Sequence, residues 1–207
     1  MKILIIGSTG TIGSELLNQS LSLGHEVTAF ARNPTGIALA HPALSIVQGD
    51  VMDPASLERA MLGHDAVLIA LGVGAKGNIR ARGTQNVITA MHHCGIRRLI
   101  CLSSLGVGDS RENLNFFWKY LMFGLLLRRA YADHVAQEAV VRDSGLDWTI
   151  VRPGAYIDGT ITQNYQHGFP PQRKKLKLKI SRADVAHFML RQLGNDEYLG
   201  ASPGLSY

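Results

Sequence analysis

Apolar and polar positions along this chain switch repeatedly between two periods. Residues 2–6, Lys-Ile-Leu-Ile-Ile, form a short apolar run that ends in glycine, the pattern of a strand buried on both faces. Behind it Ile12, Leu16, Leu17 and Leu21 fall on one face of a 3.6-residue helix, and Gly24 marks its end. Residues 26–30 and 44–47 predict a second and a third strand. Asp53 then caps a short helix, with Pro54 at the first position, where a missing N–H costs nothing. Residues 66–71 predict a fourth strand, and a glycine-rich turn leads into a helix over 84–93 that Gly95 terminates. A fifth strand over 98–102, a helix over 133–142 closed by Ser144-Gly145 and a sixth strand over 148–151 follow. After a loop-rich stretch from 154 to 172, the Lys/Leu alternation of 173–180 predicts a half-exposed strand with a solvated lysine face. A last helix covers 183–193.

Strands alternating with helices in this way predict an α/β fold: a single-domain Rossmann-type, doubly wound parallel sheet with helices on both faces. No repeat or linker divides the chain, so 1–207 reads as one domain, large enough to bury a real core.

Composition changes this picture little. Hydrophobic residues at 46% and charged residues at 18% describe an ordinary globule and exclude a disordered chain. Cys94 and Cys101 sit in apolar settings with no metal-like spacing to a histidine, so they read as reduced core residues; no metal site and a cytoplasmic location are expected. The N-terminal apolar run is too short for a signal peptide. The most hydrophobic stretch, 116–127, is interrupted by Lys119 and followed by Arg128 and Arg129. It falls short of the roughly 20 apolar residues of a span, so no membrane partner is expected; the stretch either roofs a pocket or lies against a partner. The formal charge of +5 suits anionic ligands. The basic residues are scattered and not interleaved with aromatics, which argues against nucleic acid.

The chemistry concentrates in Gly7-Ser8-Thr9-Gly10-Thr11-Ile12-Gly13. Three glycines between a buried strand and an amphipathic helix are the context of a phosphate-binding turn. Gly7 permits the tight turn, Gly10 lets a pyrophosphate approach the backbone, and Gly13 allows close helix–strand packing. The helix N-terminus presents free N–H groups and partial positive charge to the phosphates.

With its G-x-x-G-x-x-G spacing, and threonine between the first two glycines, the chain resembles the short-chain dehydrogenase/reductase superfamily in its extended and atypical branches, from Met1 to about the last helix. The superfamily's landmarks follow in order after the third to sixth strands: Gly49-Asp50-Val51, Ala70-Leu71-Gly72, Ser103-Ser104 and Arg152-Pro153-Gly154. All fall at carboxyl ends of strands, where open α/β sheets bind ligands. The resemblance implies that Gly7, Thr9, Gly10, Thr11, Ile12, Gly13, Asp50, Val51, Ala70, Leu71, Gly72, Ser103 and Pro153 surround NADP(H). Residues 180–191 with Asn195-Asp196-Glu197-Tyr198, Asp133-His134 and 143–146 are similar to the biliverdin-IXβ reductase and flavin reductase family. That likeness implies an NADPH-dependent reductase with a small planar substrate, and a monomer is allowed.

An NAD enzyme places a carboxylate at the end of the second strand for the ribose 2′-hydroxyl. Here Ala31-Arg32-Asn33-Pro34 stands there, and Arg32 suits the 2′-phosphate of NADP(H). Asp50 either flanks the adenine or caps a turn. Classical members of the superfamily reduce carbonyls with a Tyr-x-x-x-Lys pair; counting back from Ser144-Gly145, those positions hold Ala130 and His134, with Tyr131 one residue off. His134 is either a substitute acid or a packing histidine beside the nicotinamide ribose. By resemblance Ser104 is the active-site serine; the alternative is that Ser103 and Ser104 satisfy turn backbone. The biliverdin reductases carry a histidine just after the sixth-strand proline, where this chain has Gly154 and Ala155, a departure that counts against a tetrapyrrole more than against flavin. The expected activity is hydride transfer to a flavin such as FMN, to biliverdin or to a quinone, in a pocket built from the loops after strands four to six and the 154–172 loop. The competing reading is an NADP(H)-sensing regulatory protein without turnover.

Overall fold

The computed structural model describes residues 1–72, 79–173 and 175–207. The glycine-rich turn expected after the fourth strand lies mostly outside the described residues. In chain order the elements that build the core are β1 (Lys2–Ile6), α1 (Thr11–Ser22), β2 (Glu26–Ala31), β3 (Leu44–Gln48), α2 (Pro54–Met61), β4 (Ala66–Ile69), α3 (Arg80–Cys94) and β5 (Arg98–Leu102). A π-helix, Phe117–Leu126, runs into α4 (Arg128–Arg142), followed by β6 (Asp147–Pro153), β7 (Ala155–Ile157), β8 (Gln166–His167), β9 (Lys179–Ser181), α5 (Arg182–Arg191) and β10 (Gly204–Ser206).

The sheet order is β3-β2-β1-β4-β5-β6-β10-β8, parallel except for β8 at its edge, and β7 pairs with β9 in a separate two-stranded ribbon. Strand order reverses between β1 and β4, which opens a crevice at the carboxyl ends. Each buried strand feeds two cores because successive side chains point to opposite faces. Ile3 and Ile5 pack with Leu16 and Leu17 of α1 and Phe188 and Met189 of α5. Leu4 and Ile6 pack with Leu57 and Met61 of α2, Val87 and Met91 of α3 and Val141 of α4. The doubly wound Rossmann architecture expected from the sequence is therefore present as a single domain.

Helix starts follow local chemistry. Asp53 accepts the Ala55 N–H at 3.1 Å with Pro54 behind it, and Ser181 accepts the Asp184 N–H at 3.0 Å. Helix α3 begins four residues earlier than its own periodicity indicates, because its cap comes from elsewhere. Buried Asp133 of α4 accepts the Arg80 and Ala81 N–H groups, each at 3.1 Å. Gly95, at φ +71°, closes that helix as expected.

The Lys/Leu run departs from expectation. Among the described residues of this stretch only Lys179–Ser181 form a strand, and Lys175 and Leu178 take left-handed φ values of +64° and +56°. Leu178 donates its N–H to Ser206 Oγ at 2.9 Å and accepts the Ala155 N–H at 2.8 Å, so its backbone serves two different elements instead of one ladder. Leu176 and Leu178 still point inward, into a small apolar cluster with Leu105, Leu114 and Phe123.

Beneath the carboxyl end of β5 lies a buried ionic knot. Glu138 of α4 accepts two bonds from Arg152 of β6, at 2.9 and 2.7 Å, one from Ser103 at 2.7 Å and one from Arg142 at 2.8 Å. Arg152 also donates to Asp109 at 2.6 Å. Burial alone would raise the Glu138 carboxyl, but the hydrogen bonds and charge of Arg152 outweigh it and hold the group below its ordinary value. The same balance depresses Asp109 through Arg152, and Asp184 through Thr162 and Tyr207. Depressed carboxylates stabilise the fold above their ordinary pKa and lose that contribution as pH falls through the folded values. Acid unfolding should therefore steepen below about pH 4. Glu138→Ala, which strands the Arg152 guanidinium, should cost about 3–5 kcal/mol in urea unfolding, while Glu138→Ala combined with Arg152→Met should cost less than the sum of the two single changes.

Candidate active site

A cleft of about 630 Å³ runs along the carboxyl ends of β1, β2, β4, β5 and β6. Its floor is the glycine turn. Gly7, at φ +84°, lies so close to β4 that a Cβ there would stand 2.6 Å from the Ala70 carbonyl oxygen. A Cβ on Gly13 would be 2.2 Å from the Gly7 carbonyl oxygen, so α1 sits directly on the end of β1. The Gly10 N–H closes the turn on Gly7 O at 3.0 Å. Helix α1 differs from α2, α3 and α5 in what meets its first N–H groups: no side chain caps it, whereas Asp53, Asp133 and Ser181 cap the others. Gly10, Thr11 and Ile12 line the cleft. An uncapped helix N-terminus with a bare backbone in front of it fits a pyrophosphate.

Of the residues expected around a cofactor, Gly7, Thr9, Gly10, Thr11, Ile12, Arg32, Asp50, Val51, Ala70, Leu71, Gly72, Ser103 and Pro153 line this cleft, as do Ser104 and His134. Gly13 does not line it and serves the packing just described. Arg32 is exposed, and its guanidinium has no hydrogen-bond or ion-pair partner among the described residues. Asp50 borders the cleft and also accepts the Met52 N–H at 2.9 Å, so it terminates a turn as well. The two serines divide: the Ser103 hydroxyl is committed to Glu138, whereas Ser104 makes only a 3.3 Å bond to the Leu105 carbonyl and opens onto the cleft.

His134 is half-buried, and its Nδ1, itself buried, has no hydrogen-bond partner. Burial, with the nearby Arg80 charge behind it, pushes its pKa down to about 4. The imidazole is therefore neutral at pH 7, which suits packing and hydrogen bonding better than proton donation. Ala130, at the superfamily's tyrosine position, is buried. Tyr131 turns away into the apolar cluster, its ring 5.4 Å from that of Phe123 and covered by Arg111 at 5.6 Å.

Two cleft residues escape the sequence reading. Arg80 is buried at the start of α3, tethered to Asp133 Oδ2 at 3.4 Å, and its Nε has no partner. Tyr156 of β7 borders the cleft with Arg182 stacked at 5.9 Å from its ring centre, and burial pushes its hydroxyl up to about 12. A tyrosine two residues past Gly154 was the visible signal for the second; Arg80 had none, because its orientation depends on Asp133. Of the 154–172 loop, Gly154, Ala155 and Tyr156 reach the cleft. The segment beyond is drawn toward α5, where Asp184 accepts the Thr162 and Gln163 N–H groups at 2.8 and 3.0 Å. The far end of the cleft is apolar, roofed by Leu114, Trp118, Phe123, Leu127 and Leu178.

A parallel sheet with a glycine turn and an uncapped helix at its switch point defines a dinucleotide-binding domain. The chain belongs to the NAD(P)H-binding family, whose model matches residues 7–196. It is 29% identical over 160 residues to the (4-alkanoyl-5-oxo-2,5-dihydrofuran-3-yl)methyl phosphate reductase of Streptomyces griseus, covering 77% of this chain and 50% of that protein; the chain thus spans half the length of that relative. The anaerobilin reductase ChuY from Escherichia coli O157:H7 superposes with a TM-score of 0.79 at 26% identity, over 99% of this chain and 96% of that one. A wide-type short-chain dehydrogenase/reductase from Veillonella parvula, solved in complex with NADP, shares the fold at TM-score 0.85 and 20% identity, over 100% and 94% of the two chains.

The turn geometry generates a direct check on the phosphate end. Gly10→Val carries a Cβ 3.3 Å from Gly7 O and branches toward the cleft. It should abolish NADPH binding in calorimetry while circular dichroism still shows the folded protein.

Proposed function

We propose that this protein is an NADPH-dependent reductase that delivers hydride to a flat conjugated acceptor, a flavin such as FMN in the first instance, with bilins and quinones in the same class. The observation that carries this reading is the cleft's two-ended character. An uncapped helix N-terminus stands at one end and an apolar chamber at the other, with Ala130 where a carbonyl-reducing enzyme needs a phenol. The ChuY likeness, to a protein named as an anaerobilin reductase, supports a planar acceptor.

In this reading the backbone N–H groups of Thr11 and Ile12 bind the pyrophosphate, which the bare Gly10 lets approach, and Arg32 forks onto the 2′-phosphate. When bound, NADPH supplies the hydride. Ser104 offers a free hydroxyl to orient the reacting rings. Arg80, fixed by Asp133, places a desolvated positive charge beside the acceptor, where it stabilises the negative charge that hydride transfer develops. Leu114, Trp118, Phe123 and Leu127 exclude water and hold a flat ring. A delocalised acceptor spreads the incoming charge over its own heteroatoms, so its proton can come from solvent.

The neutral His134 gives this account a kinetic signature. A positioned general acid is typically worth about 10²–10⁴-fold in rate. His134→Ala should therefore slow FMN reduction by less than about 10²-fold, and the pH–rate profile of the native enzyme should show no step near pH 6.5 that the variant lacks. A large loss together with a vanished step would make His134 the acid.

Cofactor choice is tested at Arg32. Arg32→Ala should weaken NADPH binding by about 1.5–3 kcal/mol, the worth of hydrogen bonds to a charged group, and leave NADH almost unchanged in the same titration. Equal losses would place the 2′-phosphate elsewhere. Steady-state NADPH oxidation with FMN, biliverdin and a soluble quinone tests the reaction itself; tight NADPH binding without turnover on any of them would identify a sensor.

A further inference from the structure

The π-helix has two unlike sides. With i→i+5 bonding, residues four and five apart share a face. Trp118 and Phe123 point into the cleft roof, whereas Phe116, Phe117, Tyr120, Leu121, Leu125 and Leu126 face outward. Phe116 is 78% exposed and Leu125 68%. Six large apolar side chains side by side on a surface need a partner.

Charge indicates which partner. From Asn115 to Ala132 the chain carries Lys119, Arg128 and Arg129 and no acidic residue. Lys119 pairs with Glu112, but Arg128 and Arg129 are exposed and have no ion-pair partner among the described residues. An isologous pairing of two copies would set these uncompensated cations into one interface. An anionic surface would neutralise them while taking up the aromatic and leucine side chains. No helix among the described residues is long and apolar enough to cross a membrane, but lying on one needs only a single apolar face with a cationic rim.

We propose that this outer face docks the protein onto the surface of an anionic lipid bilayer. The docked face is the back of the cleft roof, so the acceptor chamber is held next to the lipid headgroups. The proposal concerns binding alone and stands or falls independently of the acceptor's identity.

Sucrose-loaded vesicles test it, either pure phosphatidylcholine or a 1:1 mixture with phosphatidylglycerol, sedimented with the full chain at low salt and at 0.5 M salt. The protein should partition onto the anionic vesicles, less so at high salt, and far more weakly onto the neutral ones. Arg128→Gln with Arg129→Gln should reduce anionic partitioning by about fivefold per arginine, the equivalent of about 1 kcal/mol each. Phe116→Ser with Leu125→Ser should reduce it by at least about tenfold, with NADPH affinity unchanged, since neither residue lines the cleft. Failure to partition onto anionic vesicles overturns the proposal, as does partitioning that is indifferent to both pairs of substitutions. A concentration-dependent dimer in sedimentation equilibrium that the serine changes abolish would also overturn it, by showing that the face joins two copies of the chain.

Discussion

The cleft depends on how α4 is held. A surface helix normally packs through an apolar stripe, but the buried face of α4 consists of Ala130, Asp133, Gln137, Glu138 and Val141. Three of these five residues are polar: two of them reach α3, and the third ties β5 to β6. Asp133 caps α3, Gln137 donates to Thr84 at 3.1 Å, and Glu138 joins Ser103 of the β5 terminus to Arg152 of β6. Desolvating these groups is expensive unless every bond is made. That requirement fixes the helix in rotation and register far more narrowly than leucines would.

Several cleft features follow from this one docking. Asp133 sets where α3 begins and holds Arg80 beneath the cleft. Glu138 ties up the Ser103 hydroxyl and leaves half-buried Ser104 as the more accessible serine of the pair. His134, between the two carboxylates in sequence, is carried into a half-buried position at the cleft wall where it stays neutral. The chemistry available at this end of the cleft is thus decided by a helix whose own side chains, His134 apart, do not face the cleft.

The other end is built on different physics. The glycine turn needs no side chains; its shape depends on the backbone alone and on the absence of Cβ atoms at Gly7 and Gly13. The roof needs only side chains, and the π-helix that carries them bonds to the body mainly through the apolar cluster around Leu105, Leu114 and Phe123. A rigid polar seam, a bare backbone turn and an adaptable apolar cover therefore meet in one crevice.

The sequence by itself determined the parts that rest on local rules. Continuous apolar runs, Asp53 with Pro54, Gly24, Gly95 and the three glycines specify strands, helix ends and the phosphate turn from neighbours a few residues apart, so the sheet, its class and the floor of the cleft were legible. Arg32 and Ser104 were legible for the same reason, since a strand's carboxyl end places the residues that follow it. The tertiary structure alone decided the rest. The early start of α3 depends on a carboxylate 53 residues away. The π-helix hides from a search at 3.6-residue spacing because its apolar sides repeat every four to five positions. The Lys/Leu alternation has a strand's period, but hydrogen bonds to Ser206 and Ala155 bend the Leu178 backbone out of it. Arg80 and Tyr156 reach the cleft, and the Ser103 hydroxyl is tied to Glu138, through long-range contacts that follow no period at all, and a period is all that a one-dimensional pattern can show.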